Sequence, residues 1–404
     1  MKPHVLFLTY HLPMGSEPGA FRPWMEARLL AQAGFRVTVI TSGVQYMTGE
    51  DIRLQRGWCT EEWVEDIRIL RTWAPSDYRR RLWKRLINYF CFTLLSALAS
   101  FLRVGKIDRL LAGTEPIFMA PMVYLVSHLK RVSVVLDERD LFPEAAIDFK
   151  IIKEGVLSRL WLAMLQLLRS RALAILAATP GIKAKLIAYG CPESKVFLLY
   201  NADPFLEEDL GVQNVMSLRE MTGKKFLVGY TGGLGRTNDV ATLLKAGKRI
   251  IDLHHVGIII IGAGERSDFY KEYCQRHGLH NVFLLGAAPR SETRQFLGQM
   301  DVCVQPLPAQ PYSDLTLTSK TFDYHGLWKP MIFCGTGDTE NLLRKSGGGI
   351  TVPPEDDKAL AEAIRWFSQN DSLRVTMGAS ARQWFEQKIT TEAACTIIKK
   401  AMGV

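Results

Sequence analysis

Short apolar runs alternate with longer amphipathic segments along the whole chain, and the same pattern occurs in both halves. The short runs are rich in Val, Ile, Leu and Phe, which is typical of strands buried in a parallel sheet. Segments with the period of helices include Arg22–Ala33, Val156–Arg171, Val240–Ile251 and Ser267–His277. The predicted strands of the first half are Val5–Thr9, Val37–Thr41, Ile67–Leu70, Arg109–Ala112, Ser133–Leu136, Leu173–Ala177 and Phe197–Leu199. Those of the second half are Phe226–Tyr230, Gly257–Ile261, Val282–Leu285, Val302–Gln305, Met331–Phe333 and Gly349–Val352.

Strands that alternate with helices in this way predict an α/β fold with helices on both faces of parallel sheets. Two such series predict two doubly wound, Rossmann-like domains that face a cleft. The polar, acidic stretch from Asn201 to Val215 is typical of a linker. We therefore expect an N-terminal domain over residues 1–203 and a C-terminal domain over residues 204–384. Ligands are expected at the carboxyl ends of the strands.

Composition agrees with a globular protein of two domains. The chain has 404 residues, of which 48% are apolar, enough for two domains of roughly 150–200 residues each. The seven cysteines are dispersed without a C-x-x-C pair, which is typical of reduced thiols and predicts a cytoplasmic protein. The first apolar run, Val5–Leu8, is too short for a signal peptide, and we interpret it as a buried strand.

The net charge of +9 is concentrated in part around an uncharged segment within residues 79–106. This segment, Ile87–Leu102, is shorter than the about 20 residues that span a bilayer. Two interpretations remain open. The segment is either a buried helix with solvated basic ends or a helix on an anionic membrane surface, which would make the protein peripheral. Nucleic-acid binding is not expected, because no stacking platform accompanies the basic residues.

Glycines follow the first predicted strand. Gly15 and Gly19 permit close approach of the backbone to a ligand, and the helix after them presents its N-terminus to an anion. The loop lacks the G-x-G-x-x-G fingerprint, and no acidic residue ends the second strand, so a dehydrogenase is disfavoured. A flexible turn remains the alternative for this loop.

Two more glycine loops follow strands of the second half. Gly232 and Gly233 come after the strand Phe226–Tyr230, and Arg236 stands just behind them. Gly262 and Gly264 come after the next strand. Glycine loops in front of helices are typical of phosphate-binding sites, and an arginine can pair with a diphosphate. The alternative is a glycine-rich helix start with a surface arginine.

The segment Thr318–Pro330 predicts a short helix whose N-cap is Thr318 or Ser319. Lys320 places a cation in the first turn, where the helix dipole disfavours it unless an anion lies beside it. Asp323 is about one turn further on and can accept hydrogen bonds from sugar hydroxyls. A phosphate beside Ser319 and Lys320 together with hydroxyls at Asp323 indicates a nucleotide sugar. The alternative is an ordinary capped helix with a solvated lysine.

Charged residues after the strand Ser133–Leu136 are the candidates for acid–base chemistry. Glu138 and Asp140 could orient or deprotonate an acceptor hydroxyl, with Arg139 between them. The alternative is a self-neutralising cluster of salt bridges. His11 is a weaker candidate on the same side. No group of His and Cys has the spacing of metal ligands, so we expect no metal.

These motifs together resemble the retaining glycosyltransferases of the GT-B fold, group 1 or family 4, over essentially the full length. The segment Leu136–Glu144 also resembles a segment of members that build lipid-linked surface polysaccharides. The matching pieces are the Gly15–Gly19 loop, Gly34–Thr41, Tyr200–Asp203, Tyr230–Gly235, Gly262–Gly264, Asn281–Gly286, Ser319–Tyr324 and Met377–Gly378.

The resemblance implies transfer of a hexose or N-acetylhexosamine from a nucleotide diphosphate sugar to an acceptor hydroxyl, without a metal cofactor. The acceptor would be a glycan or polyprenyl-linked precursor on the cytoplasmic side. The resemblance also implies that Lys320, with Arg236 and the glycine loops, stabilises the leaving diphosphate, and that the final helix, 385–404, completes the N-terminal domain.

The chain departs from the family pattern at three positions. Leu315 stands where the family often has the first of two acids, with Asp323 at the second. Gly233 and Asn238 stand where many members have an Arg and a Lys. Two other functions therefore remain open: a sugar-nucleotide epimerase of similar architecture, and a catalytically silent, membrane-associated partner subunit.

Overall fold

A computed structural model describes residues 2–14, 17, 21–45, 48–53, 55–76, 81–116, 118–142, 155–206 and 215–404, without the side chains of Leu82 and Leu157. Contacts divide the chain into two compact units. Unit 1 contains Met1–Tyr200 and Thr391–Val404, and unit 2 contains Asn201–Thr390.

Unit 1 is built on a sheet of eight strands in the order β3-β4-β2-β1-β5-β6-β7-β8. All neighbouring strands are parallel except β3 and β4, which form an antiparallel pair. The strands are β1 (His4–Leu8), β2 (Arg36–Ser42), β3 (Cys59–Val64), β4 (Ile67–Thr72), β5 (Arg109–Gly113), β6 (Ser133–Glu138), β7 (Ala174–Ala177) and β8 (Val196–Leu198).

The helices of unit 1 follow its strands. Within the described residues they are α1 (Arg22–Gln32), α2 (Leu82–Leu102), α3 (Met119–Lys130), α4 (Val156–Arg171), α5 (Pro180–Ala188) and, from the end of the chain, α14 (Thr391–Met402). The last helix, α14, packs on α1, β7 and β8. Its Ile398, Ala401 and Met402 are fully buried there.

Unit 2 has a sheet of six parallel strands in the order β11-β10-β9-β12-β13-β14. The strands are β9 (Phe226–Thr231), β10 (Val256–Ile261), β11 (Val282–Gly286), β12 (Val302–Pro306), β13 (Met331–Cys334) and β14 (Gly349–Val352). Its helices are α6 (Leu218–Thr222), α7 (Val240–Arg249), α8 (Ser267–Arg276), α9 (Arg290–Gly298), α10 (Ser319–Gly326), α11 (Asp338–Ser346), α12 (Asp357–Gln369) and α13 (Asp371–Lys388).

The core of unit 2 forms where the apolar strands β9, β10 and β12 meet helices α7 and α12. Val228, Ile258 and Val304 are fully buried because both faces of the sheet are covered. The strand order reverses around β9, so the loops after β9 and β12 lie at the switch point where doubly wound sheets bind ligands. The predicted α/β architecture is confirmed, and the predicted strands of both halves are present.

Two details differ from the sequence analysis. Strand β3 was not predicted, because the consecutive polar residues Thr60, Glu61 and Glu62 interrupt any continuous apolar run. The contacts divide the chain after Tyr200 and after Thr390, whereas the predicted domain limits were after 203 and after 384. Helix α13 ends at Lys388 and so belongs to unit 2.

Candidate functional site

Lys320 lies at the start of α10 and faces the glycine loop that follows β9. Its Nζ donates a hydrogen bond of 3.2 Å to Oδ1 of Asn238 and lies 4.8 Å from the centre of the Tyr230 ring. The side chain is half-buried, and the surrounding protein desolvates the ammonium enough to lower its pKa to about 7. The predicted phosphate-binding lysine is therefore held in a fixed position at the carboxyl ends of the strands.

Gly232 makes room for this ammonium. The residue has φ of +137°, and a Cβ at this position would collide with Nζ of Lys320. The next carbonyl, that of Gly233, accepts hydrogen bonds from Oη of Tyr230 at 2.9 Å and from Nδ2 of Asn238 at 3.3 Å. The loop therefore shapes the surroundings of Lys320 through both its backbone and its side chains.

The glycines after β10 serve a different purpose. Gly262 has φ of +152°, and a Cβ there would overlap the carbonyl oxygen of Gly232. A Cβ on Gly264 would come within 2.5 Å of the carbonyl oxygen of Leu234. These two glycines, which were predicted to bind the donor, thus allow two loops to pack backbone against backbone. This packing supports the backbone of Gly232.

Helix α10 is anchored at its middle by Tyr324. The backbone N–H of Thr231, the last residue of β9, donates to Oη of Tyr324 at 3.2 Å. Burial raises the pKa of Tyr324, so the phenol is a neutral anchor. Thr318 is the N-cap residue, with extended backbone, and its hydroxyl lies 3.3 Å from that of Thr321 rather than on the helix N–H groups. Ser319 is the first residue of the helix and is half-buried.

A buried ion cluster anchors the opposite side of α10. Asp323 lies 3.3 Å from Arg294 and 3.6 Å from Arg290, both on α9. The two arginines also pair with Asp203. Burial raises the pKa of Asp203, and the two guanidinium groups oppose that shift. The carboxylate of Asp323, predicted to accept sugar hydroxyls, is thus oriented by arginines while its side chain stays 19% exposed.

Arg236 and the Leu315 region are two further positions that the sequence analysis singled out. Arg236 forms an exposed ion pair with Glu265 at 3.2 Å. Leu315 ends a short 3-10 helix, Pro311–Leu315, and is half-buried. Its neighbour Asp314 is exposed and accepts a hydrogen bond from the hydroxyl of Thr336.

In unit 1, Glu138 is fully buried at the end of β6. Its two carboxylate oxygens accept hydrogen bonds from Nε and Nη2 of Arg169, at 2.9 and 3.0 Å. This bidentate pair ties β6 to α4. The arrangement matches the salt-bridge alternative for Glu138 rather than the predicted acid–base role.

Asp137 and Arg139 form a second buried cluster with α1. Arg22 lies 2.8 Å from Asp137 and 3.0 Å from Glu26, and Arg139 pairs with the other oxygen of Asp137. Burial raises the pKa of Glu26 to about 8, whereas Arg22 and Arg139 overcome the effect of burial and lower the pKa of Asp137. Arg139, predicted on the acceptor side, is therefore engaged within the unit.

The remaining predicted residues fall in two groups. Asp140 is exposed two residues after β6, and His11 is half-buried after β1, its ring edge-on to that of Tyr10 at 4.1 Å. Gly15 and Gly19 lie outside the described residues. Among the described residues, no group of three or more His, Cys, Asp or Glu side chains is placed to hold a metal ion.

Sequence reasoning missed the partners of Lys320. Tyr230 was interpreted as the end of a strand and as part of a family motif, and Asn238 as a departure from the family pattern, but neither as a contact of Lys320. The available signal was the position of Asn238 after three glycines and before a helix, because a residue there faces the glycine loop that follows β9.

Comparisons with known proteins give the family of each unit. Residues 22–202 match the family model described as a glycosyl transferase 4-like domain, and residues 225–370 match the one described as glycosyl transferases group 1. The two matches together cover most of the chain and correspond to the two units.

Two curated relatives share part of the chain. An uncharacterised glycosyltransferase of Methanocaldococcus jannaschii is 21% identical over 47% of this chain and 49% of its own length. The O-antigen chain mannosyltransferase C of Escherichia coli is 24% identical over 60% of this chain and 63% of its own length. The alignments thus span about half to two thirds of these relatives.

Among solved structures, Anabaena HepE in complex with UDP-glucose matches 99% of this chain and 100% of its own, with a TM-score of 0.70. The sequence identity is 14%, so this likeness establishes the fold.

Proposed function

Because the chain belongs to the group 1, family 4 type glycosyltransferases of the GT-B fold, we propose that it transfers a sugar from a nucleotide diphosphate sugar to an acceptor hydroxyl. The observation that carries the proposal is the position of Lys320. Its ammonium is fixed by Asn238 and Tyr230 beside the Gly232 backbone and the first turn of α10. A diphosphate at this point would meet the amino group of Lys320, backbone N–H groups and a helix dipole together, and its negative charge would favour the protonated form of the lysine.

The chemistry that this arrangement supports is stabilisation of the leaving group. Cleavage of the glycosidic bond places negative charge on the departing diphosphate, and a preorganised cation there lowers the barrier. A charge-assisted hydrogen bond from Lys320 would contribute about 1.5–3 kcal/mol. We propose that Lys320 and the loop amides do this without a metal, and that the anomeric configuration is retained.

The comparisons support the class of donor and acceptor. The similar fold of Anabaena HepE holds UDP-glucose, and the E. coli relative is an O-antigen chain mannosyltransferase. We propose a nucleotide diphosphate hexose as donor and a lipid-linked or cell-surface glycan precursor as acceptor. Such a precursor would place the protein in the cytoplasm, at the inner face of the cytoplasmic membrane.

On the acceptor side, we propose that Asp140, rather than Glu138, contacts the acceptor hydroxyl. Its carboxyl group is exposed at the carboxyl end of β6, whereas that of Glu138 is enclosed with Arg169. Asp140 would orient the acceptor hydroxyl, with His11 as a second polar group after β1, which is separated from β6 by β5 in the sheet. Arg139 would act indirectly, by holding the strand end together through Asp137.

The first prediction tests the donor site with Lys320→Ala. Loss of one charge-assisted contact is expected to weaken binding of the nucleotide diphosphate about 10- to 150-fold, as measured by isothermal titration calorimetry with UDP, GDP and ADP and their hexose conjugates. Lys358→Ala is the matched control, because Lys358 is likewise the second residue of a helix, α12, but is exposed. Unchanged affinity in Lys320→Ala would reject the assignment of the site.

Turnover separates the alternative functions. Nucleotide release that depends on a polyprenyl-linked glycan supports the transferase, and proton NMR of the new linkage reports retention or inversion. Conversion of the donor sugar without acceptor indicates an epimerase, and donor binding without either reaction indicates a silent subunit. Activity that persists in EDTA supports the metal-independent step.

A further inference from the structure

Helix α2 of unit 1 presents its polar side chains inward. Asn88, Ser96 and Ser100 are fully buried, and Thr93 is nearly so. Nδ2 of Asn88 donates to the carbonyl of Pro75 at 2.6 Å, and the hydroxyl of Tyr10 donates to Oδ1 of the same side chain. The hydroxyl oxygens of Ser96 and Thr72 are 3.3 Å apart. The inward face of α2 is therefore fixed to the unit by hydrogen bonds.

The opposite face of α2 exposes large apolar side chains. Phe90 and Leu94 are 55% and 57% exposed, unlike most apolar side chains in the described part of the unit. The exposed members follow one another at helical spacing along the whole helix: Trp83, Leu86, Ile87, Phe90, Leu94, Leu98, Phe101 and Leu102. This is the reverse of the usual surface helix, and an apolar stripe of this length marks an interaction surface.

The stripe continues over the two neighbouring helices. The rings of Phe90 and Phe118, the N-cap residue of α3, are 6.1 Å apart, and Nζ of Lys130 at the end of α3 lies 5.6 Å from the Phe101 ring. Arg171 of α4 stacks on Tyr124 of α3 at 5.2 Å. Exposed apolar side chains on these helices are Leu125 and Leu129 of α3 and Val156, Leu160 and Leu167 of α4. We call the surface of α2, α3 and α4 the three-helix face.

Charge on the three-helix face has one sign. Helices α2, α3 and α4 contain no Asp or Glu, although the chain as a whole has 41. The exposed basic residues on or at the ends of these helices are Arg81, Arg131, Arg159 and Arg171, and Lys84 and Arg85 of α2 are half-buried. An apolar stripe with a basic margin complements an anionic lipid surface, where apolar side chains enter the acyl boundary and basic ones meet headgroups.

We propose that the three-helix face docks unit 1 on the surface of an anionic lipid bilayer. Residues Trp83–Leu102 are long and apolar enough to span a membrane, but the inward hydrogen bonds of Asn88 and Ser96 hold the helix on its sheet. The helix therefore lies along the bilayer surface. A second copy of the chain is a poorer occupant of this face. Two such faces in contact would bring their arginines together, and none of the three helices has an acidic side chain to pair with them.

The test is sedimentation with vesicles of phosphatidylcholine, with and without phosphatidylglycerol, at low and at high salt. The wild-type chain is expected to bind the anionic vesicles at least about tenfold more tightly than the neutral ones, and added salt should weaken this binding. The triple variant Phe90→Glu, Leu94→Glu, Leu98→Glu should lose at least about tenfold in affinity for anionic vesicles. Leu94→Glu alone should show a smaller loss in the same direction.

The matched control carries the same added charge on unit 2. Phe269, Leu373 and Val375 are exposed apolar residues on α8 and α13, and their triple replacement by Glu should leave vesicle binding unchanged within about twofold. Circular dichroism and thermal melting check the fold of every variant. If the triple variant melts early, the comparison of Leu94→Glu with Phe269→Glu decides the outcome.

Three results would overturn the proposal: no preference for anionic vesicles, equal losses in the two triple variants, or a dimer in sedimentation velocity that only the α2 variant dissociates. The last result would assign the three-helix face to a second copy of the chain. The proposal does not depend on the donor site, and nucleotide binding measured on the same α2 variant should stay at the wild-type value. Failure of the lipid proposal and failure of the transferase proposal are therefore distinguishable.

Discussion

At the scale of single residues, the surroundings of Lys320 explain why its ammonium is suited to an anion. Asn238 and Tyr230, which contact the charge, are neutral groups, and the desolvation that lowers the pKa of Lys320 to about 7 weakens its hold on the proton. An anion beside Nζ would reverse that shift, because an opposite charge stabilises the protonated form. The energetic benefit of the anion is thus larger here than at an exposed lysine.

Gly232 gives the residue-scale prediction. Gly232→Ala places a methyl group against Nζ of Lys320 and imposes a left-handed φ on a residue with a Cβ. We expect nucleotide diphosphate affinity to fall at least about tenfold, since a small displacement of a positioned group is costly. Calorimetric titration measures this. Gly298→Ala, at the end of α9, is the control, because open space surrounds that Cβ and the residue is outside the glycine loops; a similar loss there would refute the argument.

Some residue roles could be predicted from the sequence and others could not. Lys320 stood out because a cation in the first turn of a helix needs a compensating anion. The function of Gly262 did not, because its requirement for glycine comes from the Gly232 carbonyl, thirty residues away in the chain. The spacing of glycines along the sequence does not reveal which two loops will be in contact. A glycine needed for packing and a glycine that binds phosphate therefore have the same sequence pattern.

At the scale of elements, the position of α10 depends on two anchors of different kinds. Tyr324 joins the helix to the end of β9 through a neutral hydrogen bond. Asp323 joins it to α9 through Arg294, whose side chain is 1% exposed. Since Lys320 is carried on the first turn of the same short helix, these anchors set where its ammonium points.

Arg294→Ala tests the second anchor. It removes one of the two cations that pair with Asp203 and Asp323, and leaving the buried carboxylate of Asp203 with Arg290 alone is expected to destabilise the fold by about 3 kcal/mol. The free energy of unfolding in urea measures the change, and nucleotide affinity should fall with it. Arg365→Ala breaks an exposed pair with Asp252 and should cost far less, because solvent screens both charges. Equal costs would contradict a structural role for the buried cluster.

Element types were predictable where the apolar period was strong. The segment Val156–Arg171 was predicted and observed with the same limits, because its period of apolar residues leaves no other reading. Strand β3 was missed because it lies at the edge of the sheet, where three consecutive polar residues, Thr60 to Glu62, are tolerated. The orientation of α2 was left open, since only the sheet beneath it shows that Asn88 and Ser96 have partners inside.

At the scale of the whole molecule, the chain enters unit 2 after Tyr200 and returns to unit 1 at Thr391. The return is stabilised by burial, because Ile398, Ala401 and Met402 of α14 are fully enclosed by unit 1. Nε of Arg109 also donates to the carbonyl of Met402 at 2.8 Å. Two of the predicted limits differ by a few residues from the observed ones, since linkers carry little periodic signal.

This return path makes a prediction about which unit loses stability when α14 is damaged. Ile398→Asp buries a charge without a partner and should destabilise unit 1 by at least about 3 kcal/mol. Limited proteolysis with peptide mapping should then degrade residues 2–200 first, although the substitution is near the end of the chain, while residues 201–390 persist. Lys399→Asp, on the exposed side of the same helix, should leave the digestion pattern unchanged. If residues 201–390 were degraded first instead, α14 would support unit 2, and the packing of Ile398 against unit 1 would not govern its stability.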